Sequence, residues 1–256
     1  MIDATAIIDT RAAVAQGVAI GPYSIIGPEV EIGEGTWIGP HVVINGPTWI
    51  GRNNRIYQFA SLGDAPQDKK YKGEPTRLEI GDDNTIREYV TINRGTVQDQ
   101  GVTRVGSGNW IMAYVHIAHD CQLGDDIIMA NNASLAGHVH IGDHAILGGF
   151  SLVHQFCKIG KYAFLQFAAG VNRDVPPYVV AAGMPATPHS INSEGLRRRD
   201  FSAQQIATLK HAYRLLYRSG LRLEEAREQI AQLAQDHPEV VVLAEFLADH
   251  RRSIIR

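Results

Sequence analysis

The chain has 256 residues, enough for one large domain or two of modest size. Charged residues make up 20% and hydrophobic ones 45%, ordinary globular usage, and the formal charge of −3 speaks against a general nucleic-acid binder. The opening MIDATAIIDT has neither a basic nor an apolar leader region, and no run of about eighteen apolar residues is available to span a bilayer. Only two cysteines occur, Cys121 and Cys157, so a cytoplasmic protein without membrane insertion is expected.

From the N-terminus the dominant signal is a period of six. Large aliphatics recur at Ile2, Ile8, Val14, Ile20 and onward to Leu62, resume at Ile80, Ile86 and Ile92, and run again from Val105 to Val171. All twenty-six positions are Leu, Ile, Val or Met, and glycine often follows, as in Ile20-Gly21 and Ile32-Gly33. Helices repeat every 3.6 residues and single strands every 2, so neither produces this pattern. A hexad does mark a parallel β-helix, in which each unit supplies a short strand and a turn. Three units close an eighteen-residue triangular coil, and successive coils stack at about 4.8 Å. The aliphatic points inward and the next residue turns a corner, where glycine has the least steric cost. Twenty-six units predict eight to nine coils over residues 1–178.

Two gaps interrupt the hexads, and both read as projecting loops, near 64–79 and 93–104. The first spans eighteen residues and takes the place of regular hexads without loss of phase; the second is seven residues longer than one unit. After Val171 the repeat stops at DVPPY. A small α-helical domain is expected over 190–256. Ser202 with Gln205 forms a capping box, Gly220 is placed to end that helix, RLEEAREQIAQLAQ reads as a second helix, and Pro238 opens a third.

Coil arithmetic then gathers polar residues that are scattered in the sequence. Eighteen residues beyond His119 is Gly137 and eighteen more is Gln155; Asp120 leads to His138; one coil beyond Ala136 comes His154. Six residues, His119, Asp120, Gly137, His138, His154 and Gln155, therefore stack on one corner of the rod. Histidines His140, His144, His189, His211, His237 and His250 are read as ordinary solvated positions. A zinc site from His119, His138 and His154 is the weaker reading, because His116 and His119 lack the spacing of zinc-binding relatives of this fold; no metal is expected. A general base fits better: a neutral imidazole accepts a proton, and a neighbouring carboxylate fixes its tautomer. Gly137 presents a backbone N–H unobstructed by a side chain, suited to an oxyanion. No serine or cysteine nucleophile stands beside them, which favours direct transfer to a substrate hydroxyl or amine. Cys121 and Cys157 lie two coils apart, too far for a disulfide.

The strings HIAHDC, NNASLAGHV, VHQFC, RDVPPYV, NSEGLRRRDFS, YQFASLG and KYKGEPTRLEIG closely resemble the UDP-N-acetylglucosamine O-acyltransferase family of lipid A biosynthesis, essentially end to end. That resemblance implies a left-handed parallel β-helix, a homotrimer with sites between subunits, and no cofactor. The acyl donor would be an (R)-3-hydroxyacyl chain on the phosphopantetheine of acyl carrier protein, the acceptor the glucosamine 3-hydroxyl of UDP-N-acetylglucosamine. By motif match His119 is the base, Asp120 its partner and the Gly137 backbone the oxyanion donor. His116, His138, His154 and Gln155 match substrate-contacting positions. Gln67, Asp68 and Lys70 match sugar-nucleotide contacts, and Asn192, Glu194, Arg198 and Arg199 match nucleotide and phosphopantetheine contacts. The physics agrees, since a diphosphate needs cations and an acidic carrier protein would meet the Arg197–Arg199 run.

Two departures stand out. The family commonly has TIHRGT where this chain reads TINRGT, so Asn93 replaces a histidine and receives no assigned role. The family's acyl-chain gauge falls on Phe167, where long-chain members carry glycine, so either a shorter acyl preference or simple aromatic packing follows. A rival activity is the related N-acyltransferase on acylated UDP-glucosamine, whose members usually carry an extra N-terminal domain. A rival of another kind is a non-catalytic β-helix, for which the heterogeneous polar patch is a poor match.

Overall fold

The computed structural model describes residues 1–249 and 252–256, so His250 lies outside the described residues. Short strands, most of them two residues long, stack into three sheets of nine, eight and ten strands that form the faces of a triangular prism. Every pairing along the prism is parallel, as in Ile117↔Leu135 and Ile141↔Ile159. The fold is a left-handed parallel β-helix followed by a small helical region.

The hexad aliphatics fill the prism interior: Ile38, Ile44, Ile56, Leu62, Ile86, Ile92 and Ile117 are fully buried. Burying such a side chain contributes roughly 1.5–3 kcal/mol, and each coil supplies three. Register shows what the gaps are. Leu62 pairs with Ile92, thirty residues on and twelve more than a coil, and Ile92 pairs with Ile117, twenty-five on and seven more than a coil. Each gap therefore contains a single hexad plus an excursion. The first does not replace whole hexads, and its unbroken phase arises because twelve is a multiple of six.

Glycine after the inward aliphatic serves a different purpose from the one expected. The left-handed corner positions are held mostly by non-glycine residues, among them Tyr89 at φ 58° and Asp120 at 60°. A Cβ on Gly33 would instead lie 2.6 Å from the carbonyl of Gly51 in the next coil. The glycine thus permits close approach of stacked backbones.

The three edges of the prism differ in character. Between the ten- and nine-stranded sheets, Tyr23, His41, Phe59, Tyr89 and Tyr114 stack with ring centroids 4.9–5.3 Å apart. On a second edge, buried Asn54, Asn84 and Asn109 form a ladder in which each side-chain oxygen accepts from the next coil's backbone N–H. The third edge, between the nine- and eight-stranded sheets, carries both excursions and then His119, Asp120, Gly137, His138, Gln155 and Phe156.

Past Val171 the strand Val179–Ala182 joins the ten-stranded sheet and pairs antiparallel with Thr187–Ile191. Among the described residues four helices follow, α1 (Ser193–Arg197), α2 (Ala203–Tyr217), α3 (Leu223–Asp236) and α4 (Pro238–Ala248). The Ser202–Gln205 capping box is present, and Pro238 occupies the first turn of α4. Helix α2 stops at Tyr217, earlier than expected, and Gly220 at φ +73° turns the chain beyond it. The short α1 was not anticipated; Asn192 caps it by accepting from the Gly195 N–H. The tail returns to the prism, where Ile255 donates to the Asp174 carbonyl and Asp174 to that of Ser253.

Candidate active site

On the third edge His119 Nδ1 lies 2.8 Å from Asp120 Oδ2, and Asp120 is 1% exposed. Burial alone would raise the carboxyl's pKa, but hydrogen bonds from His119 and from the Thr96 hydroxyl and backbone outweigh it and hold it below the usual carboxylate range. An ionised carboxylate only accepts, so His119 Nδ1 carries the hydrogen and Nε2 keeps its lone pair. The left-handed backbone at Asp120 is pinned as its N–H donates to Thr103 Oγ1 at 2.8 Å.

One coil on, Gly137 faces the imidazole so closely that a Cβ would lie 2.6 Å from His119 Cε1 and 2.8 Å from Nε2. Its backbone N–H meets no acceptor among the described residues, while its carbonyl receives Phe156 N–H at 3.1 Å. Gly137 thus brings bare backbone against the base edge of His119 and carries an unspent donor, the two groups acyl transfer requires. Beside them His138 meets His119 edge-on at 5.1 Å, donates from Nδ1 to Asp99 at 2.9 Å, and lies flat on Phe156 at 4.4 Å.

His116 and His154 do not join this cluster; they border an open groove of about 670 Å³ on the adjoining face, lined also by Leu152, Gly170, Met184 and Pro185. His116 Nδ1 is 2.7 Å from the Thr91 hydroxyl, and burial first, with the neighbouring His119 second, pushes its pKa down. A largely apolar trough beside a base suits a hydrocarbon chain. Gln155 is exposed next to Phe156.

Other expected site residues lie elsewhere in the chain. Gln67, Asp68 and Lys70 sit on the first excursion, two coils before His119, with Gln67 and Lys70 exposed and Asp68 accepting from the Lys70 N–H. That loop is stapled by Arg94, which donates to the Gly63 carbonyl at 2.9 Å and to the Tyr71 hydroxyl at 3.0 Å. Asn93, for which no role was expected, anchors the loop's base: its amide donates to the Ala65 carbonyl at 2.9 Å. Asn192 uses both ends of its amide, accepting from Gly195 and donating to the Tyr162 carbonyl. Glu194 pairs with Arg197 and Arg198, and Arg199 follows in the same turn. Phe167 is 72% exposed and belongs to the aromatic edge, its ring 5.7 Å from Phe150. Among the described residues, no hydrogen bond or ion pair joins any of these groups to the His119 cluster.

Sequence reasoning missed Thr91, Thr96, Asp99, Thr103 and Phe156. Phe156 was one eighteen-residue step from His138 and could have been found. Ligand atoms of His119, Asp120 and His138 lie within 4.8 Å of one another, so this trio, and not one containing His154, is where a metal ion would fit by geometry. Both cysteines are free and buried, and burial pushes the Cys121 thiol up to about 12, which rules it out as a nucleophile.

A left-handed hexad prism with a histidine–carboxylate pair and a bare glycine N–H on one edge defines a hexapeptide-repeat acyltransferase. Residues 29–64 and 103–137 match the bacterial transferase hexapeptide family, and residues 174–255 match the second domain of UDP-N-acetylglucosamine O-acyltransferases. Curated acyl-[acyl-carrier-protein]–UDP-N-acetylglucosamine O-acyltransferases from Herminiimonas arsenicoxydans and Thiobacillus denitrificans are each 61% identical, over 100% of this chain and 99% of theirs. The solved LpxA of Acinetobacter baumannii is 51% identical with a TM-score of 0.97, covering 100% of this chain and 99% of that one. The LpxA of Moraxella catarrhalis is 49% identical at a TM-score of 0.98, with the same coverage. The chain belongs to the UDP-N-acetylglucosamine O-acyltransferase family.

Proposed function

We propose that this enzyme transfers an (R)-3-hydroxyacyl group from acyl carrier protein to the 3-hydroxyl of UDP-N-acetylglucosamine, the first step of lipid A biosynthesis. The observation that carries the reading is the His119–Asp120 pair at 2.8 Å packed against the bare α-carbon of Gly137, whose N–H meets no acceptor among the described residues. His119 Nε2 takes the sugar hydroxyl proton as the oxygen attacks the thioester carbonyl. The oxyanion collects on the Gly137 N–H, the C–S bond breaks as the carbonyl re-forms, and the imidazolium returns the proton to the departing sulfur. A thiol of pKa about 8.5 leaves without a stronger acid. The products are the 3-O-acyl sugar nucleotide and the free carrier thiol.

Supporting roles follow from placement. Gln67, Asp68 and Lys70, with Asn192, Glu194, Arg198 and Arg199, hold the nucleotide and the pantetheine arm. His116, His138, His154 and Gln155 line the reacting groups. Because the first excursion, the helical segment and Phe167 lie apart from His119 in one chain, a homotrimer that brings neighbouring subunits together is part of the proposal. Phe167 then limits the acyl chain from a neighbour's side. No metal or other cofactor enters the chemistry, and the setting is the cytoplasm; among the described residues no helix is long and apolar enough to cross a membrane.

The test is incubation with UDP-N-acetylglucosamine and a series of 3-hydroxyacyl carrier proteins of different chain length. The expected result is the 3-O-acyl product, with Phe167→Gly extending the accepted length. Absence of product at every length would overturn the reading, and transfer only to an amino sugar would favour the N-acyltransferase.

A further inference from the structure

The second excursion is only seven residues longer than a plain hexad, yet it crosses above the His119 corner and supplies two side chains to it. Thr96 approaches Asp120 twice, its backbone N–H donating to Oδ1 at 2.9 Å and its hydroxyl to Oδ2 at 2.6 Å. Oδ2 is the same oxygen that receives His119 Nδ1–H. Thr96 is 1% exposed, and the Asp120 N–H is spent on Thr103, itself fully buried. The carboxylate is thus held on both oxygens and at its own backbone, in a setting from which water is excluded.

We infer that Thr96 is a positioning residue for acyl transfer, its hydroxyl fixing the Asp120 carboxylate so that His119 presents Nε2 to the acceptor hydroxyl. Thr96 touches neither the groove nor the unspent Gly137 N–H, so it acts through Asp120 and not on substrate. Without the hydroxyl, Oδ2 keeps a single donor and the carboxylate is free to turn about the oxygen still held by the Thr96 N–H. The imidazole loses its fixed partner, and an ångström of misplacement at a base is enough to cost a large factor in rate. The same loss removes one of the bonds that hold the Asp120 carboxyl low, so Asp120 takes up a proton at higher pH. The inference rests on the acyl-transfer reading above, and the experiment separates the two.

Thr96→Val keeps the shape and the backbone N–H and removes the hydroxyl alone; Thr96→Ser keeps the hydroxyl and removes the methyl. With wild type, both variants and His119→Ala assayed together on UDP-N-acetylglucosamine and 3-hydroxyacyl carrier protein, Thr96→Val should lose about ten- to a hundredfold in kcat, the range for a hydrogen bond to a charged group. KM for the nucleotide should stay within about twofold, the acid limb of kcat/KM should move to higher pH, and Thr96→Ser should restore most of the rate. Retention of wild-type kcat and acid limb by Thr96→Val would overturn the inference. So would a fall in Thr96→Ser equal to that in Thr96→Val, because packing and not the hydroxyl would then matter. An inactive wild type would count against the acyl-transfer reading itself. Should Thr96→Val fold poorly, the acid limb and rate of Thr96→Ala against Thr96→Ser give the same contrast.

Discussion

Two edges of one prism place side chains at equivalent left-handed corners once per coil and use them in opposite ways. On the aromatic edge, Tyr23, His41, Phe59, Tyr89 and Tyr114 lie nearly parallel, each ring supported by its neighbours along the stack. On the third edge the matching corners hold Asp120, His138 and Phe156, and the second excursion folds in to meet the first two. Repetition gives the first edge stacking, which stabilises. Departure from repetition gives the second a buried carboxylate, a poised imidazole and an open N–H. The backbone is common to both, so the chemistry arises from what interrupts it.

Single substitutions should separate the edges. His119→Ala removes the base and is expected to lower kcat by about 10²- to 10⁴-fold while leaving the unfolding midpoint nearly unchanged. Rate measurements paired with thermal unfolding check this; a rate near wild type would require a different base. Gly137→Ala comes next. Its Cβ would sit 2.6 Å from His119 Cε1, so the imidazole must move, and about a hundredfold loss in kcat is expected. Unaltered turnover in Gly137→Ala would show that the ring has room the geometry denies it.

The hexad aliphatics announced the prism because inward burial constrains every sixth residue, and the eighteen-residue offset placed His119, Asp120, Gly137 and His138 together correctly. The offset works only where no residues are inserted. Thr91, Thr96 and Asp99 meet His116, Asp120 and His138 at separations of 25, 24 and 39 residues. No eighteen-residue step predicts those separations, because the seven-residue excursion shifts the count and its path depends on tertiary packing. Asn93 was equally opaque, since its bond to the Ala65 carbonyl depends on how the first loop returns to the prism. Phe167 lies forty-eight residues beyond His119, two coils and two hexads further, so the same offset already puts it on a different edge.

The converse prediction concerns the aromatic edge. Tyr89 stacks on Phe59 at 5.0 Å and on Tyr114 at 4.9 Å, and it is 44% exposed. Tyr89→Ala leaves both of those rings without a stacking partner on one side. It should destabilise by roughly 1–3 kcal/mol, measured by denaturant unfolding, with kcat unchanged. A rate defect without a stability defect would mean that Tyr89, like Phe167 further along the same edge, serves the reaction and not only the stack.

The smallest expected effect tests whether the catalytic edge also contributes to folding. Asp120 has its pKa depressed in the folded chain, so its ionised form is favoured by folding. That contribution is complete above the unfolded carboxyl's value of about 3.9 and is lost as pH falls through the lower folded value. Burial disfavours the ionised group, but the hydrogen bonds from His119 and Thr96 outweigh it and leave a small net gain. Denaturant unfolding of wild type and Asp120→Asn should therefore differ by a constant amount from about pH 8 to about pH 5. The gap should narrow only in the more acid range. A gap independent of pH down to acid unfolding would mean that the carboxylate's charge does not hold this corner. His119 would then be oriented by packing against Gly137 and His138, and the two edges would differ less in their physics than in their ligands.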